Sequence, residues 1–162
     1  MANEFDILGT SENEENFDEK DKYLVFVIDD ELYGVNINYV IEIVGIGSIT
    51  PVPDYPDFAP GVMQLRGEVI PIIDPRIIFN KPKQEFGERI CAIIIEYNDG
   101  KYAYVVDKVS EITDFGDNDI TDPPKIYDDY IHRFIIGVSK VNDKIVMVLN
   151  PRKMFNSSEL KK

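Results

Sequence analysis

Short runs of β-branched and aromatic residues alternate with polar turns along most of the chain. Tyr23–Ile28 and Glu31–Val35, separated by Asp29-Asp30, have the pattern of a β-hairpin. Ile90–Tyr97 and Lys101–Val106, separated by a polar turn that contains glycine, predict a second hairpin. Frequent short strands with little helix favour a mainly β fold.

The segment after the first hairpin fits two kinds of element. Ile37, Val40, Ile41 and Val44 have the spacing of one helix face, but their β-branched side chains suit a strand equally well. Prolines at positions 51, 53, 56 and 60 then indicate a loop.

One stretch of the sequence occurs twice. Residues 61–79 match residues 137–155 without a gap, at a shift of 76. Upstream, Tyr33–Ile43 resembles Tyr102–Ile112 at a shift of 69, so the second copy carries extra residues, which we place between Lys125 and Phe134. Two copies are too few for a solenoid. We therefore expect two pseudo-symmetric small barrels around a shared hydrophobic core.

Each copy predicts a hairpin. In the first, Val62–Leu65 is followed by a break at Arg66-Gly67-Glu68 and a second β-branched run. In the second copy the break is Asn142-Asp143-Lys144. We expect Gly67 to support the first of these turns.

A short helical turn is predicted after each hairpin. Asp74 or Asn150 can cap it with a side-chain oxygen. Pro75 or Pro151 follows, and its fixed φ and missing N–H suit the first helical position. Phe79 is expected to close over the core.

Composition and charge define the domain limits. The 162 residues, 44% of them apolar, suit one compact domain or two small ones that share a core. Residues 1–22 carry eight acidic side chains and two lysines, and we expect a disordered acidic tail over 1–21. The folded part is predicted at 22–155, with one barrel near 22–86, the other near 87–155 and some segments crossing between them. Residues 156–162 would form a C-terminal tail.

The same features exclude several classes of partner. A net charge of −13 argues against nucleic acid and anionic membranes. No apolar run approaches the length of a membrane span, and no signal-peptide pattern is present, so we predict a soluble intracellular protein without direct membrane insertion.

Candidate chemistry is sparse. The single histidine, His132, and the single cysteine, Cys91, exclude zinc fingers, iron–sulfur ligation by several thiolates and multi-histidine metal sites. Cys91 lies in an apolar run and is expected in the core. Asp114, Asp117, Asp119 and Asp122 lack calcium-loop spacing and predict a solvated turn. We predict no metal, no cofactor and no catalytic residue.

Arg66 is the residue that sets the two copies apart. It lies at a hairpin tip, where the second copy has Asn142. A guanidinium there can make several directed hydrogen bonds to a carboxylate or carbonyl, and Glu42 is a natural internal partner. The alternative is an exposed turn arginine without a function.

Several blocks of the sequence resemble CheW, the bacterial chemotaxis coupling protein family. The resemblance covers about residues 22–155. Its most specific part is the Leu-Arg-Gly of 65–67 followed by the Ile-Pro-Ile-Ile-Asp of 70–74. Further blocks are Tyr23–Phe26, Tyr33–Val35, Val40–Ile43, Ile49–Pro53, Val105–Val109 and Ile136–Val138.

The resemblance implies a non-enzymatic adaptor. Its fold would be two five-stranded SH3-like β-barrels around a shared hydrophobic core, with short helical turns. Its partners would be methyl-accepting chemoreceptors and the regulatory domain of the histidine kinase CheA, in receptor arrays at the cytoplasmic face of the membrane. The residues that match the family's receptor-binding positions are Val40, Glu42, Arg66 and Val109. The family's kinase-binding positions can be matched only to regions, the barrel ends.

Two other interpretations remain open at this stage. An unrelated β-barrel module would bind extended peptides in a surface groove. An acid-dependent enzyme would need convergent carboxylates such as Asp128-Asp129 in a concave site, and nothing in the sequence indicates such a site. The chain is too short to include the kinase or a receiver domain of about 120 residues that relatives of this fold carry.

Overall fold

The structure is a computed structural model that describes residues 22–82, 85–87, 90–97, 100–115, 119–123 and 133–154. The predicted acidic tail, the C-terminal tail, Asp117, Asp128-Asp129 and His132 lie outside these ranges. So does most of the segment in which extra residues of the second copy are expected.

The described residues form ten strands and three short helical segments. The strands are β1 (Lys22–Ile28), β2 (Glu31–Asn36), β3 (Val40–Gly45), β4 (Gly61–Leu65), β5 (Glu68–Ile73), β6 (Cys91–Tyr97), β7 (Gly100–Val106), β8 (Lys108–Asp114), β9 (Ile135–Val141) and β10 (Lys144–Leu149). The helical segments are a 3-10 turn (Ile37–Tyr39), α1 (Pro75–Ile78) and a 3-10 turn (Pro151–Lys153). The mainly β prediction is confirmed, and the ambiguous segment after the first hairpin is a 3-10 turn followed by a strand.

The strands form two five-stranded sheets. Sheet I has the order β8-β1-β2-β10-β9, and sheet II has the order β3-β6-β7-β5-β4. In neither sheet do the two edge strands pair with each other, β8 with β9 in sheet I or β3 with β4 in sheet II. Among the described residues, one isolated bridge joins each gap, Thr50 to Val62 in sheet II and Thr121 to Val138 in sheet I. The sheets are therefore open SH3-like barrels rather than closed ones.

Each sheet combines strands from both sequence copies. Sheet I takes β1 and β2 from the first copy and β8, β9 and β10 from the second, while sheet II has the reverse composition. The chain crosses from sheet I to sheet II through the 3-10 turn after β2, and it crosses back between β7 and β8. For this reason the sequence boundary expected near residues 86 and 87 does not separate the two sheets.

The pseudo-symmetry extends to the strand register. Val148 of β10 lies opposite Gly34 of β2 in a parallel pair, and Ile72 of β5 lies opposite Ala103 of β7 in the same way. Val148 follows Ile72 by 76 residues and Ala103 follows Gly34 by 69 residues, which are the two shifts that relate the sequence copies. The repeat in the sequence therefore corresponds to a repeat in the fold.

Alternate residues of the strands fill three apolar cores. Leu24, Phe26 and Ile28 of β1 face a large core between the sheets, to which Ile93 and Ile95 of sheet II also belong. A second cluster lies inside sheet II and a third inside sheet I. Because adjacent strand residues point to opposite faces, one strand serves both an inner core and the shared core. The predicted shared core is thus present.

Both predicted caps form. The Asp74 Oδ1 accepts a hydrogen bond from the backbone N–H of Arg76 at 3.1 Å, and the Asn150 Oδ1 accepts one from Arg152 at 3.0 Å. Pro75 begins α1, and Phe79 is 7% exposed against the shared core. The two short helical turns therefore follow equivalent strands, β5 in the first copy and β10 in the second.

Cys91 is less buried than its apolar neighbours suggest. It is the first residue of β6 and is half-buried beside the shared core. Partial burial raises the pKa of its thiol, which disfavours the reactive thiolate. This position agrees with a structural role.

Candidate functional site

The β4–β5 hairpin has a two-residue turn with a left-handed backbone. Arg66 has φ 54° and Gly67 has φ 85°. Positive φ at both central residues matches the twist of the flanking strands, and Gly67 accepts this conformation without a Cβ penalty. The turn projects the Arg66 side chain, which is 71% exposed, from the end of sheet II.

Arg66 forms an ion pair across the open side of sheet II. Its Nη1 donates to the Glu42 carboxylate in β3, and β3 and β4 are the two edge strands of this sheet. The carboxylate raises the pKa of the Arg66 guanidinium, first through the hydrogen bond and then through charge attraction. Such an exposed pair adds little stability. Its main effect is to fix the orientation of an exposed guanidinium.

A second ion pair holds the other side of the same turn. Glu68 Oε1 accepts a hydrogen bond from Lys101 Nζ in β7 at 2.9 Å, and this carboxylate raises the pKa of Lys101. We call Glu42, Arg66, Glu68 and Lys101 the tip cluster. Sequence reasoning identified the first pair but missed the second, because Glu68 and Lys101 come together only through the parallel pairing of β5 with β7.

Val40 and Val109, the other predicted receptor-binding residues, are equivalent positions of the two copies. Val40 lies in β3 of sheet II and Val109 lies in β8 of sheet I. Val40 is 8% exposed in the shared core, and Val109 packs against that core while partly exposed. The structure thus brings Glu42 and Arg66 into contact, whereas the two valines support the region between the sheets.

Asp74 and Pro75, which were predicted to support a turn, are buried next to a charged residue that sequence reasoning left aside. Arg76 is 3% exposed, and its Nη2 donates to the Asp107 carboxylate. Asp107 also accepts a hydrogen bond from the backbone N–H of Asp29 at 2.8 Å. These contacts join α1 to the β1–β2 turn and the β7–β8 link. They form a structural clasp, not an exposed site.

Metal and membrane sites receive no support from the described part of the chain. Within it, no three His, Cys, Asp or Glu side chains are placed to hold a metal ion. Nor does that part include a helix of the length and apolarity that a membrane span requires.

Known proteins share this fold and sequence pattern. The family model for the CheW-like domain matches residues 22–159. The chain belongs to the CheW family. Chemotaxis protein CheW of Treponema pallidum is 30% identical over 149 residues, covering 90% of this chain and 88% of its own length. FrzA of Myxococcus xanthus is 27% identical over 139 residues, covering 85% of this chain and 86% of its own length.

A solved structure gives the same result. The scaffolding protein TtCheW from Thermoanaerobacter tengcongensis matches with a TM-score of 0.74 and 34% identity, over 81% of this chain and 89% of that one. Membership in the CheW family confirms the resemblance found in the sequence. It makes this chain a chemotaxis adaptor and not an enzyme.

Proposed function

We propose that this CheW-family adaptor couples the cytoplasmic tips of methyl-accepting chemoreceptors to the regulatory domain of the histidine kinase CheA. It would act in the cytoplasm, recruited to arrays of receptors at the membrane. The observation that carries this proposal is the tip cluster, in which an exposed guanidinium is held in one orientation by Glu42. A fixed guanidinium can make directed hydrogen bonds to the carboxylates or carbonyls of a partner helix.

Receptor binding is assigned to Arg66, Glu42, Val40 and Val109. Arg66 and Glu42 provide the polar contacts, and Val109 provides partly exposed apolar surface. Val40 is almost fully buried, so its contribution is to hold β3 in position below Glu42. Kinase binding is assigned to the barrel ends, without assignment to individual residues.

Coupling of this kind needs no chemical step. The adaptor brings two proteins together, and many weak contacts in an array act jointly because each bound partner raises the effective concentration of the next. A small receptor-binding face is therefore sufficient. The loss of one directed contact should reduce kinase control without unfolding the adaptor.

The test is kinase control reconstituted with receptor, CheA and variants of this chain. Arg66→Ala is expected to keep the thermal midpoint and amide spectrum of the wild type and to lower receptor-dependent kinase control at least fivefold. Arg152→Ala is the control, because Arg152 is also an exposed arginine in a turn but lies in the 3-10 turn after β10, away from the tip cluster. It should couple normally.

A charge exchange separates direct contact from internal support. The double variant Glu42→Arg with Arg66→Glu restores an internal ion pair with the charges reversed. If Arg66 contacts the receptor, the exchanged protein remains defective although it is folded. Normal coupling by either the exchanged protein or Arg66→Ala would overturn the assignment of Arg66.

A further inference from the structure

The two sheets have equivalent gaps between their edge strands. In sheet II the gap lies between β3 and β4, and in sheet I it lies between β8 and β9. We call them the β3/β4 seam and the β8/β9 seam. Both are crossed by one backbone bridge whose two hydrogen bonds measure 2.8 to 2.9 Å. The two seams thus share this backbone contact, and their side chains differ.

The ion pair that closes the β3/β4 seam has no counterpart in the β8/β9 seam. The residue equivalent to Arg66 is Asn142, whose φ of 53° is nearly the same as the 54° of Arg66. The residue equivalent to Glu42 is Glu111, which follows an irregularity at the same place in its strand. Among the described residues, no ion pair joins the β9–β10 hairpin to β8.

The β9–β10 hairpin also lacks an equivalent of the Glu68–Lys101 ion pair that holds the β4–β5 hairpin. Lys144 stands at the position equivalent to Glu68, and Leu32 at the position equivalent to Lys101. A groove of about 690 Å³ lies along the β8/β9 seam. Its walls come from both edge strands and from the hairpin tip, including Glu111, Lys140 and Ile145.

The backbone of β9 presents hydrogen-bonding groups to this groove. Val138 directs its N–H and C=O across the seam to Thr121. Because strand residues alternate in direction, Lys140 directs its N–H and C=O to the same side, two residues nearer the tip. Within the described residues, the β9 backbone has no partner there beyond the Thr121 bridge. This geometry suits an added strand.

Charge selects the kind of strand that fits. The groove is lined by the carboxylates of Glu111, Asp114 and Asp119 and by one ammonium group, Lys140. Lys22 pairs with Asp114 at 3.5 Å, so the groove lining and this paired lysine together carry three carboxylates and two ammonium groups. The net charge of −13 on the whole chain acts in the same direction. Ile145, 53% exposed, adds apolar surface at the groove wall.

We propose that the β8/β9 seam is a docking site for an extended, lysine-bearing segment of a partner protein, which adds a strand against β9. Backbone hydrogen bonds to Lys140 would hold the segment. Glu111 would receive one of its lysines, and Ile145 would contact an alternate apolar side chain. This site lies on sheet I and does not depend on receptor coupling through the tip cluster.

The experiment uses the full ¹⁵N-labelled chain and an eight-residue peptide of alternating valine and lysine, acetylated and amidated at its ends. Titration is expected to shift amide signals of β8 and β9. A peptide of the same sequence with alternate backbone nitrogens methylated should bind at least tenfold more weakly, because it cannot complete the strand pairing. Equal binding of the methylated peptide would show charge attraction only and would overturn the proposal.

Two variants give independent outcomes. Asn142→Arg recreates the closing ion pair with Glu111 and should weaken binding at least tenfold. Lys140→Pro removes the N–H that faces the seam but leaves the β9–β10 ladder intact, since an edge strand tolerates proline on its outer side. It should also weaken binding, whereas charge attraction alone predicts tighter binding because a cation is lost. Tighter binding by Lys140→Pro would contradict strand addition.

Discussion

The buried clasp between Arg76 and Asp107 gives the sharpest prediction about stability. The Arg76 side chain is 4% exposed and that of Asp107 is 29% exposed. Removing one member of a buried ion pair costs about 3 to 5 kcal/mol, because the other charge remains desolvated. Asp107 keeps solvent access and its bond from the Asp29 N–H, and Arg76 Nε has no partner in the described structure. Both facts favour the lower limit, so we expect Arg76→Met to lose about 3 kcal/mol.

Urea unfolding of a double-mutant cycle measures this directly. Arg76→Met, Asp107→Asn and the double variant are compared with the wild type by the midpoint and slope of the transition. The summed losses of unfolding free energy in the two single variants should exceed the loss in the double variant by at least about 1 kcal/mol, as expected for residues in contact. Arg152→Met, at the exposed equivalent position, should leave the midpoint unchanged. Additive losses, or a loss below about 1 kcal/mol for Arg76→Met, would refute a stabilising clasp.

Two further predictions concern the seams and the shared core. A Cβ at Gly61 would lie 2.3 Å from the Thr50 carbonyl oxygen, so Gly61→Ala should lose about 1 to 3 kcal/mol of unfolding free energy, measured with urea. A Cβ at Gly87 meets nothing within 4 Å, so Gly87→Ala should lose less than the lower limit of that range. Equal midpoints for the two alanine variants would contradict the close approach at the seam. Burial raises the pKa of Tyr104 well above its ordinary value, so the unfolded chain loses this proton first and stability should fall above about pH 10 by about 1.4 kcal/mol per pH unit. Burial also raises the pKa of Tyr102, which adds its own share to this slope, so Tyr104→Phe should reduce the slope without abolishing it. An unchanged slope would show that Tyr104 does not contribute to it.

Local features of the fold could be predicted from the sequence because they depend on neighbouring residues. The β4–β5 hairpin follows from two β-branched runs around Arg66-Gly67. The caps at Asp74 and Asn150 follow from a side-chain oxygen before a proline. The repeat in the sequence also predicted two similar structural units, since similar sequences form similar structures.

The exchange of strands between the copies could not be predicted in the same way. It depends on the 3-10 turn Ile37–Tyr39, which carries the chain from sheet I to sheet II, and the apolar spacing there fitted helix and strand alike. The Arg76 clasp was missed because Asp107 is 31 residues away and meets it only through this exchange. Arg76 and Arg152 are identical in the sequence, yet one is buried and the other exposed. Their different surroundings arise from tertiary contacts.

The candidate site shows the same division. Arg66 attracted attention because it lies where the copies differ, and its contact with Glu42 agrees with the simple pairing of opposite charges. The structure added Glu68 and Lys101, whose contact requires β5 and β7 to be neighbours. It also placed Val40, which is 8% exposed, in the shared core.

The central claim, that this CheW-family chain is an adaptor with separate receptor and kinase faces, is tested most directly by one amide-shift titration. The ¹⁵N-labelled full chain is titrated first with a receptor-tip fragment and then with the CheA regulatory domain. We predict that the receptor fragment perturbs Glu42, Arg66 and their neighbours, that the regulatory domain perturbs a different surface at a barrel end, and that both remain bound together. Binding of neither partner, or displacement of one by the other, would contradict the claim.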